Sequence, residues 1–162
     1  MTATPAYAAD LALFIDGAWN AGEGRDALPV VNPATAQAMA DLPSATAADL
    51  DTALAAAARA FPLWRATDVD ARATILRKAA QLLRDRAEHI ATLMTMEQGK
   101  PIAESRSEVM ASAQLFDWCA EDARRMYGRT LVRPSGMRSM VLQQPVGPVA
   151  IFTPWNFPLY LM

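Results

Sequence analysis

The sequence predicts an α/β chain: amphipathic helices, short β-ribbons, and one strand that delivers a loop to a ligand site. Three observations carry this. Between residues 46 and 128, apolar side chains recur at helical spacing in four successive segments. Residues 13–19 and 129–144 carry the paired runs and Gly-containing turns of β-hairpins. Near the C-terminal end, the apolar run Val149, Ala150, Ile151 and Phe152 leads into Thr153-Pro154-Trp155-Asn156-Phe157-Pro158-Leu159. Pro154 and Pro158 fix their own φ and push Thr153 and Phe157 out of the helical region, which holds Asn156 in place at a strand end. In open α/β sheets that is where ligands bind.

Taken in order, Leu13, Phe14 and Ile15, then Asp16-Gly17, then Ala18 and Trp19 read as a short hairpin around a Gly turn. Gly22-Glu23-Gly24 continues as loop; no strand–turn–helix frame makes it a phosphate cradle. Val30-Val31-Asn32-Pro33 is a strand closed by an Asn-Pro turn signal. The first helix opens at Thr46 with Asp49 in a capping box, presents Leu50, Ala53, Leu54, Ala57 and Phe61, and is expected to stop at Pro62. A second box, Thr67 and Asp70, opens the next helix, whose apolar face is Ile75, Leu76, Ala79, Leu82 and Leu83. Its basic residues Arg72, Arg77, Lys78, Arg84 and Arg86 are interspersed with acids and read as a solvated face.

A third helix, 90–98, stops at Gly99, a suitable left-handed cap. Pro101 suits the first position of a long fourth helix. Along it Val109, Ala113, Phe116, Ala120, Ala123 and Tyr127 form one stripe, and Leu115, Cys119 and Met126 an adjacent one, with Gly128 as the stop. Two apolar stripes predict a helix buried on more than one side. Residues 129–133 and 138–144 then flank Pro134-Ser135-Gly136 as a hairpin with one exposed face.

Composition narrows the function classes. At 162 residues and 52% apolar, the chain can build a core, and its net charge of −2 gives no reason to expect nucleic acid or an anionic membrane as partner. Cys119 is the single cysteine, so no internal disulfide forms, which suits a reducing, cytoplasmic location. Residues 1–10 lack the basic start of a signal peptide and read as a disordered, Ala-rich leader. Residues 139–162 carry no charge, but Pro145, Pro148, Pro154 and Pro158 with Gln143, Gln144 and Asn156 exclude a membrane span. The chain stops inside an apolar run at Tyr160-Leu161-Met162, which is expected of the front part of a longer protein.

Few side chains offer chemistry. Cys119 lies mid-helix among Phe116, Trp118 and Ala120, with Asp117 and Glu121 disfavouring a thiolate, so core packing is expected of it. Trp64 and Trp118 read as core aromatics, and His89 as a lone surface histidine without metal-ligand company. Glu97-Gln98-Gly99-Lys100-Pro101 is explained by helix capping. Asn156 is either an Asx-turn residue or a fixed donor, a role worth roughly 3 kcal/mol against a developing oxyanion.

Thr153-Pro154-Trp155-Asn156-Phe157-Pro158-Leu159 resembles the signature of the aldehyde dehydrogenase superfamily. Val31-Asn32-Pro33-Ala34-Thr35, Ala60-Phe61-Pro62-Leu63-Trp64, Glu97-Gln98-Gly99-Lys100-Pro101 and Gln144-Pro145-Val146-Gly147 resemble further family blocks, in the family's order. The stretch 118–128 looks most like the NAD(P)-dependent succinate-semialdehyde dehydrogenase branch. The resemblance implies the N-terminal part of that fold: helices and the first strand of a Rossmann-like NAD(P) domain, with an oligomerisation β-hairpin. Residues 11–128 would be the helical part, 129–145 the hairpin, and 146–162 the first strand and active-site loop.

Such enzymes oxidise a small aldehyde to its acid through a cysteine thiohemiacetal, with NAD or NADP as hydride acceptor, and work as dimers or tetramers. In that pattern Asn156 matches the oxyanion-hole amide, and Phe152, Thr153, Pro154, Trp155 and Asn156 match the cofactor side of the site. Some members hold a monovalent cation near positions matching Val30 and Glu97; no other metal is implied. The nucleophilic cysteine, general-base glutamate, Gly-rich turn and cofactor-gripping lysine would follow Met162, and Cys119 does not match the nucleophile. The chain alone is therefore expected to be inactive. A CoA-acylating relative, a non-catalytic helical interaction module and a truncated relic are the competing readings.

Overall fold

The computed structural model describes residues 7, 11–21 and 24–162. The expected leader 1–10, Tyr7 apart, and Gly22-Glu23 of the G-x-G turn lie outside them. Four helices follow two antiparallel ribbons, and a third ribbon follows the helices. The ribbons are β1 (Leu13–Ile15) with β2 (Ala18–Asn20), β3 (Ala27–Asn32) with β4 (Gln37–Pro43), and β5 (Arg129–Leu131) with β6 (Ser139–Val141).

The first hairpin forms as expected. Asp16 and Gly17 both take positive φ, the backbone that a two-residue turn between twisted strands requires. In the second ribbon, β3 contains the anticipated Val30-Val31-Asn32 segment, bulged between Val30 and Val31, while β4 was not anticipated. Its register places Pro29 and Pro43 on a two-stranded ribbon, where a missing donor is tolerated. The Asn32 side-chain amide oxygen accepts from the Ala34 N–H at 2.9 Å, an Asx turn that closes the ribbon.

Helix α1 (Ala47–Ala66) begins at Thr46, and the capping box with Asp49 is complete in both directions. It does not stop at Pro62. The proline sits in its last turns, where only one internal donor is lost, and the helix continues until Thr67 turns extended. Thr67 is thus the end of α1; Asp68 caps α2 (Val69–Asp85), accepting from the Asp70 N–H at 2.8 Å. No residue of α1 is buried; Leu50 and Leu54 are exposed and Ala53 and Phe61 half-buried, so its apolar stripe is only partly covered among the described residues. Trp64 and Trp118 are likewise exposed and not core aromatics.

The core lies where α2, α3 (Ala87–Gln98) and α4 (Ile102–Asp122) meet. Helix α4 is central and packs along both others. Its buried face carries small side chains, Ser105, Ser112, Ala113 and Ala120, against Ala73 and Ala80 of α2 and Ala91 of α3. Small contact residues let helix axes approach closely, and Thr95 Oγ1 and Ser105 Oγ, 2.8 Å apart, bond across that seam. The α2 face is therefore centred on Ala73, Leu76, Ala80 and Leu83; Ile75 and Leu82 point outward. On its rim the basic residues find partners. Arg77 reaches Glu121 at 2.5 Å, Arg84 pairs with Asp117 and Arg124 with Asp70, tying α2 to α4 and the turn after it.

Two corrections concern the end of α4. The helix gives way to a 3₁₀ turn at Ala123–Arg125, so the stripe does not continue to Met126 and Tyr127, which are exposed. Cys119 is exposed, facing a recess bounded by Leu76, Leu115, Leu159 and Met162. Pro101 stands at the N-cap of α4, one place earlier than its anticipated first position, and its C=O accepts from the Glu104 and Ser105 N–H groups. Among the described residues no helix is long and apolar enough to cross a membrane.

The run 149–152 enters no ladder. A strand exists through its partner's hydrogen bonds, and no described segment supplies them. Its side chains Val149, Ile151 and Phe152 are all exposed. The strand expected over 149–152 is therefore not formed among the described residues.

Candidate active site

The loop beyond residue 152 is built as a turn. The Phe157 N–H donates to the Pro154 C=O at 3.3 Å, which places Trp155 and Asn156 at the turn's centre. The Leu161 N–H to Phe157 C=O and Met162 N–H to Leu159 C=O bonds, both 3.4 Å, wind the following residues into a further coil. Leu159 packs onto the core of Ala91, Met94 and Val109. One apolar anchor thus fixes the loop's far end to the helical layer.

Three polar side chains fix the rest. Gln98, the last residue of α3, donates its Nε2 to the Trp155 C=O at 2.9 Å. Lys100 Nζ donates to the Asn156 C=O at 2.8 Å, lies 4.6 Å from the centre of the Phe157 ring, and is paired with Glu108. Glu108 Oε1 accepts from the Leu159 N–H at 3.0 Å and the Tyr160 N–H at 3.1 Å. The Lys100 and Glu108 side chains retain only 10% and 1% of their exposure, so the charges neutralise each other away from water.

Local sequence explains why these groups converge. Gly99 takes φ +85°, the left-handed turn that ends α3, and a Cβ there would stand 2.8 Å from Pro33 Cγ. The chain can therefore reverse tightly beneath the β3–β4 turn and send Lys100 back toward the loop. Glu108 follows Ser105 and precedes Ser112 on the buried face of α4, which points it at the loop's backbone.

Of the anticipated site residues, Pro154, Trp155 and Asn156 lie on this turn, and Phe152 and Thr153 precede it. Pro154, Trp155 and Asn156 are exposed and Thr153 is half-buried; Phe152, at 92% exposure, leads in beside Trp155 at 78%. The Asn156 side chain is exposed and makes no hydrogen bond to the described residues, in contrast to Asn32, whose side chain closes its own turn. Gln98, Lys100 and Glu108 were not anticipated. The motif at 97–101 read as capping, whereas a carboxylate at helical spacing between Ser105 and Ser112 was the available signal: a buried acid needs partners.

Other candidates take lesser parts. His89 is on the surface as expected. Glu97 Oε1 accepts from the Tyr7 hydroxyl at 2.5 Å, and burial with that carboxylate pushes the phenol's pKa up. Val30 is half-buried in β3. Among the described residues no three His, Cys, Asp or Glu side chains are grouped to hold a metal ion.

Comparison with known proteins agrees with this architecture. The model of the aldehyde dehydrogenase family matches residues 19–162. A 4-(hydroxymethyl)benzenesulfonate dehydrogenase of Comamonas testosteroni is 45% identical over 92% of this chain and 32% of its own length. The NADP(+) succinate-semialdehyde dehydrogenase of Escherichia coli K12 is 40% identical over 89% of this chain and 30% of its own. The crystal structure of an NADP-dependent enzyme of E. coli superposes with a TM-score of 0.88 at 39% identity, over 94% of this chain and 32% of that one. The chain belongs to the aldehyde dehydrogenase family and has the N-terminal part of its α/β fold. It spans about a third of the length of the relatives it matches.

Proposed function

We propose that this chain is the N-terminal portion of an NAD(P)-dependent aldehyde dehydrogenase and contributes Asn156 to its oxyanion hole. The observation that carries the reading is the Asn156 carboxamide. It stands on a turn fixed by proline and by side chains from the end of α3 and the loop after it, yet no described group uses its donor. A fixed amide free of local work can meet an oxygen on which negative charge develops, and it does so without titrating. One such donor lowers the barrier by roughly 3 kcal/mol.

The flanking residues fit a nicotinamide. Phe152 and Trp155 present exposed apolar surfaces beside Thr153 and Pro154, the kind of wall a flat aromatic ring packs against. NAD or NADP, when bound, accepts the hydride. The residues of this chain would orient the ring, exclude water with their apolar faces, and hold the substrate oxygen through Asn156. The nucleophilic cysteine belongs to the remainder of the enzyme. The β5–β6 ribbon is exposed at every residue but Ser139, which suits a role in oligomer formation, and 146–162 serves as the nucleotide domain's leading strand and site loop.

The substrate is an aldehyde with a distal anion, succinate semialdehyde being the leading case. The relatives' names support this, since they specify a succinate, a glutarate or a sulfonate group. The complete enzyme should form NAD(P)H with succinate semialdehyde, and its kcat/KM should fall by an order of magnitude or more for an uncharged aldehyde of equal length, roughly the discrimination that one lost polar contact brings. Equal efficiency would remove the anion from the assignment. No NAD(P)H with any aldehyde would overturn the reading. The 162-residue chain alone should form none.

A further inference from the structure

Asn156 is useful as an oxyanion donor only if its backbone does not yield when the amide is pulled toward charge. Gln98 and Lys100 donate to the two consecutive carbonyls at the centre of the turn, those of Trp155 and Asn156. Glu108 accepts from two consecutive N–H groups just beyond it, those of Leu159 and Tyr160. Lys100 and Glu108 are themselves paired, so the two grips form one connected unit. Four backbone groups of a loop in irregular conformation are thus bound by three side chains, from the end of α3, the loop after it and the buried face of α4.

Core formation does not require this arrangement. Leu159 already joins the loop to the core, and an apolar pair at 100 and 108 would fill the same space without removing two charges from water. A buried ion pair here does something packing cannot: it sets the direction of particular carbonyl and amide groups. The Trp155 and Asn156 carbonyls define the peptide planes on either side of the Asn156 Cα, and so the direction in which its side chain leaves the turn.

We propose that Gln98, Lys100 and Glu108 are positioning residues that clamp the peptide planes around Asn156 and so aim its amide at the reacting oxygen. This rests on the oxyanion reading of Asn156. The clamp acts before substrate binds and touches neither substrate nor cofactor, so it governs turnover more than affinity. Displacement of a catalytic group by about 1 Å can cost on the order of 10²-fold in rate. Loss of one grip should therefore lower kcat roughly 10- to 100-fold with KM nearly unchanged.

The test is a double-mutant cycle in the complete enzyme. Gln98→Leu removes the donor to Trp155 without stranding a charge. Lys100→Met with Glu108→Gln removes the donor to Asn156 while keeping an uncharged acceptor for Leu159 and Tyr160. Each is measured alone and in an Asn156→Ala background, for kcat, KM and melting temperature. The clamp predicts the stated kcat loss in the parent and less than about a twofold further loss once Asn156 is alanine, because residues acting through one group are non-additive.

A merely structural role predicts the same fractional loss in both backgrounds, and that result overturns the proposal. Parental kcat in the clamp variants beside a slow Asn156→Ala also overturns it, leaving the oxyanion reading intact. Parental kcat in Asn156→Ala itself overturns both.

Discussion

Glu108 shows how one residue can decide the conformation of a distant loop. Its carboxylate is 1% exposed and receives three donors: Lys100 Nζ and the Leu159 and Tyr160 N–H groups. Removing Lys100 alone leaves that charge buried and unpaired, at a cost of roughly 3–5 kcal/mol, whereas neutralising both partners together costs much less. Lys100→Met should therefore shift the chemical denaturation midpoint of the complete enzyme further than Lys100→Met with Glu108→Gln. Equal shifts would mean that the pair is not electrostatically coupled. Gly99 sets a second test at this scale. Alanine there must adopt φ +85° and meet Pro33 Cγ at 2.8 Å, so Gly99→Ala should destabilise by more than about 1 kcal/mol in the same assay. A neutral effect would show that the α3–α4 turn is freer than its geometry implies.

Among the elements, the start of α1 has a pH signature. Hydrogen bonds from Arg25, then from the Thr46 side chain and backbone, hold the Asp49 carboxyl well below its ordinary value of 3.8. Arg106 and Arg77 lower Glu88 and Glu121 in the same way. A carboxylate with a depressed folded-state pKa stabilises the fold fully above its unfolded value, and that contribution is lost as pH falls through the folded one. Asp49→Asn should thus lower the melting temperature at pH 7, and the gap to the parent should narrow below about pH 4. A gap that is constant with pH would show that the cap acts by hydrogen-bond geometry without charge.

The capping box was legible because four consecutive residues, 46–49, contain all of it. The length of α1 was not: Pro62 is a breaker only where the helix interior needs its N–H, and α1 tolerates it near its end. The expected face of α2 holds at Leu76, Ala79 and Leu83 but not at Ile75 and Leu82, and its buried centre is Ala73 and Ala80. Small residues leave little hydrophobic signal even when they set the helix spacing.

For the whole molecule, the loop's residues were legible and its supports were not. The prolines, Trp155 and Asn156 sit within a few positions of one another, whereas the clamp joins residues 98, 100 and 108 to 155–160. Such pairings depend on how α3, α4 and the terminal coil meet, which no local pattern encodes. The same holds for 149–152, an apolar run with which no described segment pairs. The exposed Val146, Val149, Ile151, Phe152 and Trp155 make an unpaired apolar edge, the usual template for self-association. Sedimentation of the isolated chain should show mass that rises with concentration; a monomer with a sharp, concentration-independent unfolding transition would contradict this.

The most direct measurement is the turnover of the complete enzyme with Asn156→Ala. If the carboxamide stabilises the oxyanion, kcat with succinate semialdehyde falls on the order of 10²-fold or more, while the melting temperature stays near that of the parent because the side chain holds nothing in the fold. Parental turnover would contradict the account and return Asn156 to the role of a turn residue.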